Sequence, residues 1–189
     1  EGGITTRIFD FAKACVGWMR GGLGHVNISA SIIFAGMSVA AVADAGGLGS
    51  IEIKAMRDAG YDEGFSIGVT AASSTIGPII PPSLAMVIYG VMASCSIGKL
   101  FVAGLLPGLV TAGALSMMVV YIARKRNYPR DATFALNILW FTFRRAFLSL
   151  LAPVLVVGGM LSGIYTPTEA AVAVSAYALF LGAIVYKTL

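Results

Sequence analysis

Residues 70–83 read TAASSTIGPIIPPS and decide the fold of the chain. The stretch holds three prolines, a glycine and five hydroxyl residues, and apolar runs flank it on both sides. Proline lacks an amide donor and clashes with the preceding helical turn, so Pro78, Pro81 and Pro82 predict a membrane helix broken into two half-helices. Unwound backbone at membrane depth must be buried in protein or line a cavity, and secondary transporters place their substrate and ion sites at such breaks. A helix kinked by proline for packing alone is the alternative.

The composition places the chain in a membrane. Hydrophobic residues make up 58% of the 189 residues and charged residues only 12%, whereas a soluble domain is about 25% charged. The mean hydropathy is +0.87. We therefore expect an all-α integral membrane protein with the lipid bilayer as a partner. Lys and Arg fall in short clusters between apolar runs, which fits cytoplasmic loops and not a nucleic-acid surface. The chain begins without Met and ends within an apolar run, so we expect a piece of a longer protein.

The segments before the break predict two different helical arrangements. Residues 1–23 are amphipathic, with basic residues interleaved among apolar ones, and predict an arm helix in the membrane plane. Within residues 24–56, residues 24–50 are apolar with a Gly36-Met37-Ser38 sequence in the middle. Two arms of about twelve residues would each rise roughly 18 Å, about half of a hydrocarbon core, which favours a re-entrant hairpin. A single full-length span fits the same lengths. Residues 51–65 are the most charged stretch and predict an aqueous turn.

The segments from the break onwards predict four further units. Residues 66–95 hold the broken transmembrane helix, and residues 100–123 are the clearest uninterrupted span. The basic run at residues 124–130 predicts a cytoplasmic loop. Residues 131–146 predict a second amphipathic arm helix, and residues 147–189 predict two transmembrane segments. A faint likeness between FDFAK at residues 9–13 and FTFRR at residues 141–145 suggests an inverted repeat whose second half opens here.

The polar groups at the break suggest an ion site. An unwound turn frees carbonyl oxygens, and Gly77 allows close approach of backbone or ion. Neutral oxygens in a small cage suit sodium, and the hairpin tip at residues 36–38 would face them. The first turn of the second half-helix, at Pro82 and Ser83, would favour an anionic substrate group. The alternative is that these hydroxyls bond back to their own helices. The hydroxyl oxygens concerned are those of Ser73, Ser74, Thr75 and Ser83.

Other polar residues suggest less. Asp44 is an acid inside an apolar run, where it is either functional or at an interfacial helix end. We interpret His25 as structural or interfacial and Glu169 as a carboxylate at a helix start. An enzyme is not expected, because Ser38 has no base within reach and His, Cys and acidic residues form no metal-type cluster. Cys15 and Cys95 are interpreted as small packing residues. A passive channel remains an alternative to a transporter.

Four stretches together resemble one known family. They are GGLGHVNISASIIFAGMS at residues 21–38, AVADAGGLGSIEIKAM at residues 41–56, AASSTIGPIIPPS at residues 71–83 followed by VIYG, and GIYTPTEAAVAV at residues 163–174. In these the chain resembles the large membrane (M) subunit of tripartite ATP-independent periplasmic (TRAP) transporters, over essentially its whole length. That family's large subunit is roughly twice as long, with a second hairpin and a second broken helix, so this chain is expected to hold half of the site.

The resemblance implies a function, partners and site residues. It implies sodium-driven, elevator-type import of an organic acid, either sialic acid or a C4-dicarboxylate, across the bacterial inner membrane by a multi-pass protein. A periplasmic binding (P) protein and a small membrane (Q) subunit would be partners, sodium the coupling ion, and no other cofactor is expected. Proton coupling is an alternative. The expected sodium ligands are Gly36, Met37, Ser38, Thr75, Gly77, Ile80 and Ser83, and the expected substrate contacts are Ser38, Ser73, Pro81, Pro82 and Ser83. The tip reads GMSVAA, without the further small polar residue expected after Ser38.

Overall fold

The computed structural model describes residues 4–36, 40–131, 135–181 and 183, and these residues form helices and no strand. The all-α class predicted from composition is therefore confirmed. In chain order the helices are α1 (Ile4–Val16), α2 (Gly22–Ala35), α3 (Ala41–Gly47), α4 (Gly49–Asp58), α5 (Glu63–Ser74), α6 (Leu84–Met92), α7 (Ile97–Lys125), α8 (Leu136–Leu161) and α9 (Pro167–Phe180). Met37 and Ser38, at the predicted hairpin tip, lie outside the described residues.

Two helices are long and apolar enough to cross a membrane, α7 and most of α8 (Leu136–Met160). Large apolar side chains of α7, such as those of Leu106, Met117 and Tyr121, are exposed on the surface of the chain. A long helix whose apolar side chains face outward is suited to lipid or to another membrane helix. Together with the composition, this supports a membrane protein. The re-entrant placement of α2 to α4 stays a prediction.

The core lies where α2 and α5 pack against α1, α4 and α7. Its fully buried apolar residues include Ile8 of α1, Val26 and Ile28 of α2, and Val119 of α7. A second cluster joins Phe101 of α7 to apolar side chains of α8 and α9. The segment between α5 and α6 contributes two buried isoleucines to the first cluster, so it packs within the core.

The first arm helix is shorter than predicted. The sequence predicts it over residues 1–23, but α1 ends at Val16 and a turn follows. The turn includes Gly21, whose φ of +71° is left-handed and favours glycine. A Cβ atom there would lie 2.6 Å from Cβ of Ala123, so the turn also needs glycine in order to approach α7.

The prediction of an aqueous turn over residues 51–65 is wrong for its first half. Residues 49–58 form α4, and Glu52 and Met56 on it are each only 1% exposed. These two residues are one helical turn apart and face the core, while Lys54 and Arg57 are exposed on the other face. The turn itself is residues 59–62. It ends at Asp62, whose carboxylate accepts a hydrogen bond from the Phe65 amide at 3.0 Å and caps α5.

The predicted boundary between an arm helix at residues 131–146 and a span from residue 147 is not a helix break. One helix, α8, runs from Leu136 to Leu161. The sequence around Ala146 contains neither glycine nor proline, so nothing interrupts the helix there. Arg144 and Arg145 are exposed, whereas Ala146 is fully buried. Exposed charged residues and buried apolar residues therefore lie on different faces of the same helix.

Asp131 ties the end of the α7–α8 connection to the start of α2. Its Oδ2 atom accepts a hydrogen bond from the Leu23 amide at 2.9 Å and another from the Tyr61 hydroxyl. The backbone adds two bonds, from Gly21 to the Pro129 carbonyl at 3.1 Å and from Asp131 to the Gly17 carbonyl at 3.1 Å. Burial and the Asp131 carboxylate raise the pKa of the Tyr61 hydroxyl above its ordinary value. The contact therefore supplies an acceptor that the first turn of α2 lacks.

Asp131→Ala is expected to destabilise the protein by about 1–3 kcal/mol, because it leaves the Leu23 amide and the Tyr61 hydroxyl without their acceptor. The measurement is thermal unfolding of the full-length protein in detergent. Asp58→Ala is the matched control, because Asp58 is exposed at the end of α4. Equal unfolding temperatures for the two variants would contradict the proposed role of Asp131.

Candidate functional site

The segment between α5 and α6, residues 75–83, has an unusual backbone. Its start is a tight turn in which Ile76 donates to the Ser73 carbonyl at 2.9 Å and Gly77 to the Ser74 carbonyl at 3.3 Å. The Ile76 carbonyl accepts from both Ile79 and Ile80 at 3.0 Å. From there on, the carbonyl oxygens of residues 77–82 accept no hydrogen bond from any described residue. These six successive carbonyl oxygens lie in a partly buried stretch that ends with the cis Pro81–Pro82 bond.

Two glycines of α7 hold this segment close. A Cβ atom at Gly104 would lie 2.7 Å from the Ile79 carbonyl oxygen and would also collide with Met86 of α6. A Cβ atom at Gly108, one turn later, would collide with the Ile80 side chain. Small residues four apart are the usual means of bringing backbones together in membrane helices. The unwound segment therefore packs directly against the surface of α7.

The predicted hydroxyl ligands at the break are engaged locally. The Thr75 hydroxyl donates to the Ala72 carbonyl at 2.7 Å, and the Ser74 hydroxyl donates to the Thr70 carbonyl at 2.8 Å. Ser83 is 1% exposed, and its Oγ accepts from the Met86 amide at 3.4 Å, capping α6. These contacts match the alternative stated from the sequence, in which the hydroxyls bond back to their own helices. A hydroxyl that donates one bond still has lone pairs for a cation, so the geometry is compatible with both readings.

Ser73 lies in a buried polar network between α2 and α5. Its hydroxyl donates to Oδ1 of Asn27, while Nδ2 of Asn27 donates to Oγ1 of Thr70 at 2.6 Å. The hydroxyl oxygens of Ser31 and Ser73 are 3.2 Å apart. The Ser31 hydroxyl donates to Oδ2 of Asp44 at 2.8 Å. Each of these five residues is at most 4% exposed. Ser73 is thus placed in the helix interface, one turn before the unwound segment.

Sequence reasoning missed most of this network. Asn27 and Ser31 are four residues apart on one apolar helix, Thr70 and Ser73 are three apart on another, and such spacing puts polar side chains on one face. That periodicity is the signal that could have found them. Asp44 was left open between a functional acid and an interfacial helix end, and the structure buries it against Ser31.

Gly36 is the described part of the predicted hairpin tip. It follows α2, and a Cβ atom there would collide with Pro153 of α8. Gly36 is therefore packed against α8. The sodium and substrate roles predicted for Gly36, Thr75, Gly77 and Ile80 stay predictions. The same holds for Pro81 and Pro82, of which Pro81 is buried and Pro82 half-buried.

His25 and Glu169 have different environments. His25 is buried at the start of α2, and its Nε2 atom has no hydrogen-bond partner among the described residues. Glu169 and Thr166 form a reciprocal capping box at the start of α9, which confirms the helix-start interpretation of Glu169. Within the described ranges, His, Cys, Asp and Glu form no group suited to a metal ion.

A family model for the DctM component of tripartite ATP-independent periplasmic transporters matches residues 1–189. The chain belongs to this family. It is 54% identical over 188 residues to a sialic acid TRAP transporter permease protein, SiaT, of Haemophilus influenzae, covering 100% of this chain and 30% of the relative. It is 55% identical over 187 residues to the large permease protein SiaM of Vibrio cholerae, covering 99% of this chain and 44% of the relative.

A more distant relative has another substrate in its name. The C4-dicarboxylate large permease protein DctM of Pseudomonas aeruginosa is 40% identical over 187 residues, covering 98% of this chain and 44% of the relative. The DctM-family chain described here thus spans less than half the length of each of these relatives. The TRAP resemblance noted from the sequence motifs is confirmed. The relatives are transporter permeases, which fits the expectation that the chain is not an enzyme.

Proposed function

We propose that this DctM-family chain is part of the permease subunit of a sodium-coupled, binding-protein-dependent transporter that imports an organic acid. The observation that carries the proposal is the row of carbonyl oxygens at residues 77–82, which accept no hydrogen bond from described residues. Backbone carbonyls are the ligands that membrane proteins commonly use in place of the hydration shell of a monovalent cation. Discontinuous helices of secondary transporters use unwound carbonyls in this way.

The same break supplies a position for the anionic group of the substrate. Helix α6 begins after Ser83, so the positive end of its dipole lies at the unwound segment. A carboxylate placed there would be favoured next to a bound cation, which links substrate binding to sodium binding. The expected contacts are Ser38, Ser73, Pro81, Pro82 and Ser83. Since Ser73 is engaged with Asn27, we expect its contribution to be indirect, through the α2–α5 interface.

Sialic acid is the substrate that we propose. Identity is 54–55% to the two sialic acid permeases and 40% to the C4-dicarboxylate permease named above, over nearly the whole chain in each case. We further propose an elevator mechanism in the bacterial inner membrane, with a small membrane subunit as the static partner and a periplasmic binding protein delivering substrate. In this scheme α2 to α7 belong to the moving part. A passive channel would instead conduct without a sodium gradient or the binding protein.

Proton coupling is the second candidate, and the observation that favours it is the burial of the Asp44 carboxyl group within apolar helices. The two candidates are separated by uptake of labelled sialic acid into proteoliposomes with the full-length protein and its partners. Sodium coupling requires uptake driven by an inward sodium gradient at equal pH. Uptake driven by an inward proton gradient in sodium-free buffer would overturn it.

Ser83→Ala is expected to lower sodium-dependent uptake by about tenfold or more. It removes an oxygen at the break as well as the cap of α6, and a lost cap alone costs about 1 kcal/mol of stability. Ser96→Ala is the matched control, because Ser96 caps α7 with the same geometry, accepting from the Lys99 amide at 3.4 Å. Uptake by proteoliposomes and membrane expression are measured for both variants. Equal uptake would show that Ser83 acts only as a helix cap.

A further inference from the structure

Glu52 is an acidic residue that is buried in the described part of the chain. Its side chain is 1% exposed, and its Oε1 atom has no hydrogen-bond partner among the described residues. It forms no ion pair with any of them either. An ionised carboxylate that is buried without a cation or a donor is very unfavourable, and such a group binds a proton instead.

The helices packed against α4 offer Glu52 no positive charge. Helices α2, α3 and α5 each carry one titratable residue, which are His25, Asp44 and Glu63 respectively. Glu63 is exposed and pairs with Arg57 at 3.3 Å. His25 is buried, and no hydrogen bond or ion pair joins it to Glu52. On α4 itself Lys54, Arg57 and Asp58 are exposed, on the side away from the core.

Asp44 is the other buried carboxyl group on the helices around Glu52. The Leu48 amide bonds to the Asp44 carbonyl at 2.9 Å, and the Glu52 amide bonds to the Leu48 carbonyl at 3.1 Å. Asp44 and Glu52 therefore stand two helical turns apart along nearly continuous helix, and both face the core. Oδ2 of Asp44 accepts the Ser31 hydroxyl at 2.8 Å, which favours its charged form, whereas its buried Oδ1 has no hydrogen-bond partner among the described residues, which disfavours it. A negative Asp44 in turn disfavours a second negative charge on Glu52.

We propose that Glu52 is a proton-binding site: its carboxyl group is protonated at neutral pH in the folded protein. The proton neutralises the interface of α4 with α2 and α5. It is a resident part of the folded structure and is separate from the proposed coupling of uptake to sodium. Glu52 lies outside the ion and substrate contacts proposed above, so a neutral substitute is compatible with transport.

The proton on Glu52 determines how the stability of the folded protein depends on pH. The unfolded chain releases the Glu52 proton at the ordinary value for glutamic acid, about 4.3. Above that pH the folded state holds one more proton than the unfolded state. Stability therefore falls as pH rises, until Glu52 also ionises in the folded state. Glutamine mimics the neutral acid and removes this term.

The test uses the full-length protein in lipid, with infrared spectroscopy of the carboxylic acid C=O stretch. We expect wild-type protein at neutral pH to show a band of a protonated carboxylic acid that is lost in Glu52→Gln and kept in Glu63→Gln. The absence of such a band, or a band of unchanged intensity in Glu52→Gln, would overturn the proposal. If Glu52→Gln does not fold, wild-type protein labelled with 13C-glutamate decides: a band that does not shift on labelling overturns the proposal.

A second measurement separates the proton site from transport. Between about pH 6 and about pH 9, the unfolding temperature of wild-type protein in detergent is expected to fall more than that of Glu52→Gln. Glu63→Gln is expected to follow the wild type. Glu52→Gln is also expected to keep sodium-driven uptake within about twofold of the wild type. Parallel pH curves for wild type and Glu52→Gln would contradict a proton on Glu52, whatever the coupling ion of transport is.

Discussion

Gly77→Leu in the full-length protein is expected to abolish sodium-dependent uptake while the protein still reaches the membrane. Gly77 is buried at the start of the unwound segment, and its amide bonds to the Ser74 carbonyl at 3.3 Å. A leucine side chain at a buried glycine must displace its neighbours, and overpacking of this kind costs about 1–3 kcal/mol. Gly77 directly precedes the other carbonyl oxygens of the row, so we expect the displacement to reach them. The proposed ion ligands would therefore lose their geometry.

Gly68→Leu is the control for this substitution. Gly68 lies on α5, nine residues earlier, is exposed, and a Cβ atom there meets nothing within 4 Å. The same change of side chain is thus made on the half-helix that precedes the break, away from the unwound segment. We expect Gly68→Leu to retain most of the uptake driven by a sodium gradient in proteoliposomes. Wild-type uptake by Gly77→Leu would rule out an ion site at this break.

Gly104→Val is expected to reduce both stability and uptake, because it acts on the contact that supports the break. The new Cβ atom would lie 2.7 Å from the Ile79 carbonyl oxygen and would collide with Met86. The first neighbour is backbone and cannot rotate away, so α7 and the unwound segment must separate. We expect a loss of about 1–3 kcal/mol in stability and of most of the uptake.

Gly113→Val is the matched control on the same helix. A Cβ atom at Gly113 meets nothing within 4 Å, and the residue is exposed. Both variants place a β-branched residue within α7, so their cost in helix propensity is the same. Thermal unfolding in detergent and uptake in proteoliposomes are compared for the two. If Gly104→Val matches Gly113→Val in both, the close approach of α7 to Ile79 is unimportant for the site.

The features that sequence predicts well are those set by local backbone chemistry. Pro78, Pro81 and Pro82 cannot continue a helix, and the non-helical residues between α5 and α6 are where these prolines are. Thr166 and Glu169 form a capping box whose spacing is visible in the sequence. In each case the residues that specify the structure lie within one or two turns of it.

The features that sequence did not predict depend on distant partners. Glu52 is one of several charged residues in its stretch, and only packing against other helices distinguishes it from the exposed Lys54. The contact of Gly104 with the Ile79 carbonyl joins two elements whose relative position no local pattern specifies. The boundary predicted within α8 failed for another reason, since two exposed arginines were interpreted as the end of an arm helix. Such residues can occupy one face of a continuous helix.

The Asp131 contact has a consequence for how the parts of the chain can move. The backbone enters the unit formed by α2 to α7 at residues 17–23 and leaves it at residues 129–131, and the hydrogen bonds among these residues place both crossings side by side. Two adjacent crossings act as one hinge and not as two separate tethers. A rigid displacement of α2 to α7 relative to α1 and α8 would then require large backbone rotations at a single place, next to Gly21 with its left-handed conformation.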